Sequence, residues 1–121
     1  FDDAIYAAGR LLELIADEQR PLSAHLSSLP QLYSTPEIRR ECTSENQKFA
    51  LVEAAVRHFS DHYPVNDVDG ARIDFGDSWG LVRASNTQPI LVLRFEAPNA
   101  QRLDEIQTLV ETELKRLERD L

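Results

Sequence analysis

Three β-patterned runs stand close together between Ala71 and Phe95, and the turns between them leave room only for hairpins. Ala71, Ile73 and Phe75 alternate with Arg72 and Asp74, the period-two pattern of a strand with one buried face. Gly76-Asp77-Ser78 then turns the chain. Trp79–Ala84 forms the next run, with Trp79 expected in the core, and Ile90–Phe95 the one after it. Its near-continuous Ile-Leu-Val-Leu suits a central strand covered on at least one face. Pro89 cannot donate to a ladder, so it fits the first position of that strand. Parallel neighbours need a crossover of about a dozen residues or more. Strands joined this tightly have to pair antiparallel.

Helical periodicity flanks these runs. Asp2 and Asp3 are N-cap candidates for a helix carrying Ala4, Ile5, Ala8, Leu11, Leu12 and Ile15 at helical spacing, which Pro21 ends. Leu22, Leu26 and Leu29 add one or two turns before Pro30. Gln31–Pro36 reads as a connector and marks a boundary between residues 1–30 and 31–121. Glu37–Thr43 alternates Ile38, Arg40 and Cys42 against Glu37, Arg39 and Glu41, a modest strand signal.

Ser44-x-x-Gln47 has the form of a capping box, in which each side chain closes the other's free backbone N–H. The helix it opens presents Phe49, Val52, Ala55, Val56 and Phe59 on one face and is expected to end near Tyr63-Pro64. Asp69-Gly70 is a turn signal. Asn99 caps a last helix whose Leu103, Ile106, Leu109, Val110, Leu114 and Leu117 form its buried face. The order is helix, then strand-helix-strand-strand-strand-helix. It predicts an α+β fold, a four-stranded antiparallel sheet with two helices packed on one face, preceded by an N-terminal helical segment.

A net charge of −8 over 121 residues disfavours nucleic acid or an anionic membrane as a partner, because such binding rests on basic surface. No apolar run approaches the roughly 20 residues of a membrane helix. The start Phe1-Asp2-Asp3 lacks a signal peptide's basic end and apolar stretch, and the sequence contains no Met. The chain is therefore expected to be a piece of a longer protein. A lone Cys42 rules out an internal disulfide framework and a multi-Cys metal site. It reads as a buried inert thiol in a reducing, cytoplasmic setting. His58 and His62 lie four apart on a helix, a metal-ligand spacing, but the zinc-protease glutamate and a third ligand are missing; a solvated face is the better reading.

One stretch concentrates polar donors. Arg83 ends an apolar run, and Ser85, Asn86 and Thr87 follow at once. Their short side chains bond nearby backbone in turns. Beside a guanidinium, whose planar fork matches phosphate oxygens two at a time, they could surround a phosphate. An ordinary hairpin turn, with Arg83 exposed or paired to Asp74, fits the same composition. Arg94, inside the next strand, reads either as a solvent-side charge paired with Glu96 or Asp74, or as a prop for the Arg83 loop.

Asp69-Gly70-Ala71-Arg72-Ile73-Asp74-Phe75, Trp79-Gly80-Leu81-Val82-Arg83-Ala84-Ser85-Asn86-Thr87, Pro89 and Leu93-Arg94-Phe95-Glu96-Ala97 together resemble the C-terminal domain of the alpha-D-phosphohexomutases, in the bacterial phosphomannomutase/phosphoglucomutase branch. The likeness runs from about Thr35 to the C-terminus. Phe1-Asp2-Asp3 with Tyr6 and Arg10-Leu11-Leu12-Glu13 resembles the tail of the preceding, sugar-binding domain, although Ala4 stands where that family has glycine. The resemblance implies a TATA-binding-protein-like fold within a four-domain isomerase that moves a phosphoryl group between the 1- and 6-positions of mannose or glucose phosphate.

In such an enzyme a phosphoserine donor, a Mg2+ ion and sugar recognition belong to other domains. This one closes over the cleft, and Arg83, Ser85, Asn86 and Thr87 grip the phosphate that is not reacting. The implied partners are the phosphosugar, its bisphosphate intermediate and the enzyme's other domains; the piece alone would be inactive. A different class of reading is a stand-alone acidic α+β protein-interaction module with no catalytic role, since fold does not fix function. A self-contained enzyme is disfavoured: no acid–base pair with a nucleophile, glycine-rich phosphate loop or metal cluster is evident in the sequence.

Overall fold

A computed structural model describes residues 2–121; Phe1 of the Phe1-Asp2-Asp3 run lies outside the described residues. Contacts divide the chain into one unit ending at Gln31 and another spanning Leu32–Leu121. The first holds α1 (Ala4–Glu18) and the short α2 (Leu22–Leu26). Asp3 caps α1 by accepting the Tyr6 amide at 2.8 Å, and Gln19 closes it in the left-handed region at φ 49°. Neither helix buries a residue.

The second unit is an antiparallel sheet with α3 (Glu45–Ser60) and α4 (Ala100–Arg119) on one face. Its strands are β1 (Tyr33–Ser34), β2 (Ile38–Glu41), β3 (Val65–Asn66), β4 (Ala71–Asp74), β5 (Trp79–Ala84) and β6 (Ile90–Ala97). The order is β1-β6-β5-β4-β3, with β2 pairing on the same edge of β6 as β1. The sheet thus has six strands where four were expected. The connector Gln31–Pro36 contributes Tyr33 and Ser34 as a pairing segment, and Val65–Asn66 adds another. Pairings of two residues are too short to display a period.

Alternation decides the core. Ala71 and Ile73, Val82, and Leu91, Leu93, Phe95 and Ala97 face the helices and are almost wholly buried. Leu51, Ala55 and Phe59 of α3 and Ile106, Val110 and Leu114 of α4 meet them. Each large apolar side chain withdrawn from water contributes about 1.5–3 kcal/mol. At the edge, Thr35 closes a local pair, its amide donating to the Phe95 carbonyl at 3.0 Å and its hydroxyl oxygen accepting the Phe95 amide at 3.1 Å.

Several expectations shift. α3 ends at Ser60, one turn early. Its inner face is rotated: Lys48 is buried and Phe49 is 52% exposed. Ser44 accepts the Gln47 amide at 3.2 Å, but Gln47 Oε1 returns to the amide of Thr43, not of Ser44. Trp79, expected in the core, lies on the open face with the Arg72 guanidinium 4.9 Å from its ring centre. It shares strand parity with Leu81 and Arg83, opposite the buried Gly80 and Val82. No helix among the described residues is long and apolar enough to cross a membrane.

Candidate functional site

Arg83 sits next to last in β5, opposite Val92 of β6, on the face away from the helices. Its side chain is 36% exposed, and Nη1 donates to Asp69 Oδ2 at 3.0 Å. The partner is therefore Asp69, not Asp74. The β4–β5 register sets Ala71 against Val82, which brings the Asp69-Gly70 turn beside Arg83. Gly70 adopts φ +91°, and a β-carbon there would fall 2.4 Å from the Val82 carbonyl oxygen. Only glycine lets the turn pass this close. The carboxylate takes one of the five guanidinium N–H donors. With Asp69 71% exposed, the pair is weak, about 0–1 kcal/mol.

The chain then crosses to β6 through Ser85, Asn86, Thr87, Gln88 and Pro89. Ser85 is buried, its oxygen accepting the Thr87 amide at 3.3 Å, while Asn86, Thr87, Gln88 and Pro89 are exposed. The Ser85 oxygen thus shapes the turn, and its hydroxyl hydrogen stays available to donate. The sequence predicted a cluster of Arg83, Ser85, Asn86 and Thr87, and all four fall at one end of the β5–β6 hairpin. From Ser78 to Phe95 the chain carries two arginines and no carboxylate of its own, and the Asp69 side chain brings a negative charge to the Arg83 side of the tip. A tip rich in N–H and O–H donors beside a guanidinium is suited to an anion.

Sequence reasoning missed what lies under the tip. Lys48, in the first turn of α3, is 1% exposed and ranks among the largest fully buried side chains. Its Nζ donates to the carbonyl oxygens of Ser85 at 2.6 Å and Gln88 at 2.9 Å, and lies 2.5 Å from Glu45 Oε2. The available signal was positional: Lys48 stands three and seven residues before the buried Leu51 and Ala55, on the core stripe. Beyond the tip, the Cys42 amide donates to the Pro89 carbonyl at 2.8 Å. The Cys42 thiol is half-buried, not fully buried. Burial, and then the nearby Glu118 carboxylate, push its pKa above the ordinary thiol value.

Arg94 is exposed on the open face, and the carboxylates expected beside it are engaged elsewhere. Glu96 accepts from Trp79 Nε1 at 3.1 Å, and Asp74 accepts the Gly76 amide at 2.8 Å. A hollow of about 240 Å3 lined by Arg72, Asp74, Trp79 and Glu96 lies at the opposite end of β5 from the tip. His58 contacts Glu113 at 3.2 Å and Arg116 at 3.3 Å. Among the described residues, no three His, Cys, Asp or Glu side chains gather as a metal site.

A family model described as phosphoglucomutase/phosphomannomutase, C-terminal domain, matches residues 37–113. Over its whole length the chain is 44% identical to a phosphomannomutase/phosphoglucomutase of Pseudomonas aeruginosa, of which it covers 26%. Over 88% of its length it is 42% identical to a phosphoglucomutase of Neisseria gonorrhoeae, of which it covers 24%. The crystal structure of a phosphoglucomutase/phosphomannomutase family protein from Burkholderia thailandensis is similar with a TM-score of 0.77 at 38% identity, over 98% of this chain and 24% of that one. The chain thus spans about a quarter of the length of the relatives it matches.

Proposed function

The chain belongs to the phosphoglucomutase/phosphomannomutase family, whose C-terminal domain model it matches over more than half its length, and from that premise we propose that the Arg83–Thr87 tip holds the non-reacting phosphate of a hexose phosphate. The reaction is the interconversion of the 1- and 6-phosphates of mannose or glucose. One observation carries the reading. A partly exposed guanidinium stands just before an exposed tip bearing the Asn86 amide and the Thr87 hydroxyl, with the Ser85 hydroxyl buried at its base. Arg83 supplies the charge clamp, Ser85 and Thr87 supply hydroxyl donors, and Asn86 supplies its backbone or side-chain amide.

The chemistry explains why an anchor of this kind is useful. In each half-reaction one phosphate meets the donor and the other has to be held at a distance. The bisphosphate intermediate turns end over end between the two halves. A site that recognises phosphate and little else accepts both orientations. Contacts remote from the reacting bond position the other end, and closure of a mobile domain seals it from water. On this reading residues 1–30 are the tail of the preceding sugar-binding domain. The phosphoserine, the Mg2+ and the choice of sugar lie outside this chain, which alone is inactive. A cytoplasmic, reducing setting accords with a single unpaired thiol.

The test is Arg83→Ala in the full-length protein that carries this domain. Loss of a charge-assisted contact of about 1.5–3 kcal/mol lowers kcat/KM by roughly 10- to 100-fold with the fold intact. Unchanged efficiency in a natively stable variant removes Arg83 from the site.

A further inference from the structure

The β5–β6 ladder breaks where the tip begins. The Ser85 amide donates to the Ile90 carbonyl at 3.0 Å, as a closed hairpin requires. The reciprocal bond, from the Ile90 amide to the Ser85 carbonyl, is replaced. The Ile90 amide instead turns back onto the Gln88 carbonyl at 2.8 Å, a three-residue turn around Pro89. The Ser85 carbonyl is thereby released from the ladder, and the Lys48 ammonium takes it at 2.6 Å. The same ammonium reaches the Gln88 carbonyl at 2.9 Å. The Glu45 carboxylate adds an ion pair to the same ammonium. A cation this buried is tolerated only when paired and hydrogen-bonded in this way.

We propose that Lys48 is the positioning residue of the anion-binding tip, holding the hairpin open so that the Asn86 amide faces outward. No peptide bond among the described residues is cis. In a planar trans peptide the N–H points opposite the C=O. With the Ser85 carbonyl drawn inward to Lys48, the Asn86 N–H on the same peptide unit is directed away from the core, toward the side where Thr87 is exposed. Remove the ammonium, and the Ser85 carbonyl has the Ile90 amide as its nearest natural partner. The ladder then closes and the tip collapses into a regular turn. Lys48 touches no ligand in this role. The inference rests on the reading of the tip as a phosphate site, but its structural half can be judged without ligand.

The experiment is heteronuclear NMR on the 121-residue chain, wild type and Lys48→Met, with inorganic phosphate as probe. In the wild type, scalar couplings across hydrogen bonds are expected between the Lys48 ammonium nitrogen and the carbonyl carbons of Ser85 and Gln88. In Lys48→Met, the signals of Leu51 and Phe95 stay in place while those of Asn86, Thr87 and Ile90 move, and phosphate binds about tenfold more weakly. A merely structural lysine would lower the thermal midpoint without this confined effect. A folded variant with unchanged Asn86, Thr87 and phosphate affinity overturns the proposal. Should the variant not fold, the wild-type couplings decide: their presence supports it and their absence overturns it. If the couplings and the confined shifts are present but phosphate leaves the wild-type tip undisturbed, Lys48 still sets the tip and it is the phosphate reading that fails.

Discussion

A β-carbon placed on Gly70 would stand 2.7 Å from the Cβ of Arg83 and 2.4 Å from the Val82 carbonyl oxygen. The turn before β4 therefore abuts the backbone that carries the guanidinium. Both obstacles are rigid, and the φ of +91° is itself unfavourable for any residue with a side chain. Gly70→Ala is expected to destabilise the chain by about 2 kcal/mol or more, read as a lower denaturant midpoint. The surviving folded fraction should show displaced Arg83 side-chain signals. A midpoint equal to wild type would mean that the turn relaxes freely and does not set the position of Arg83.

Asp69 orients the Arg83 guanidinium but places a negative charge beside the tip. Asp69→Asn keeps an oxygen able to accept from Nη1 and removes the charge. Because the pair is largely exposed, little stability is lost. Phosphate should bind about two- to threefold tighter at low ionic strength, and the gain should fade as salt screens the repulsion. Weaker binding at every salt concentration would show that orientation by the full charge outweighs repulsion.

Cys42 sits against the base of the tip, its amide on the Pro89 carbonyl. Burial foremost, and the Glu118 carboxylate next, raise its pKa above the ordinary thiol value of 9.0. The thiolate is the reactive form. Alkylation by iodoacetamide should be slower in the folded chain than in the urea-unfolded chain at neutral pH, and should still be rising above pH 9.0. The raised value also fixes the sign of the linkage. The stabilisation from keeping this thiol neutral is whole below the ordinary thiol pKa and is lost as pH climbs through the raised one. A rate that levels off below pH 9.0 would contradict the assignment.

Much of this fold was legible because periodicity reports burial directly. Ala71 and Ile73 alternate into the core, and Ile106, Val110 and Leu114 recur at helical spacing; all five are buried. The four tip residues were legible as a cluster because they are contiguous. What escaped was set by partners that a sequence does not display. Lys48 is not legible as a buried residue because its acceptors are two main-chain carbonyls far along the chain. The alternative pairing of Arg83 with Asp74 fails, with Asp69 in its place, because the β4–β5 register decides which carboxylate lies near. Trp79 is expected inside, yet its strand parity with Arg83 puts it on the open face.

The most direct test of the phosphate anchor is chemical-shift mapping of the chain with mannose 1-phosphate. The account predicts weak, saturable changes centred on Arg83, Ser85, Asn86 and Thr87, reproduced by inorganic phosphate because the sugar is read elsewhere. Changes confined to the hollow around Arg72, Trp79 and Glu96, or spread over the open sheet with the tip untouched, would contradict it.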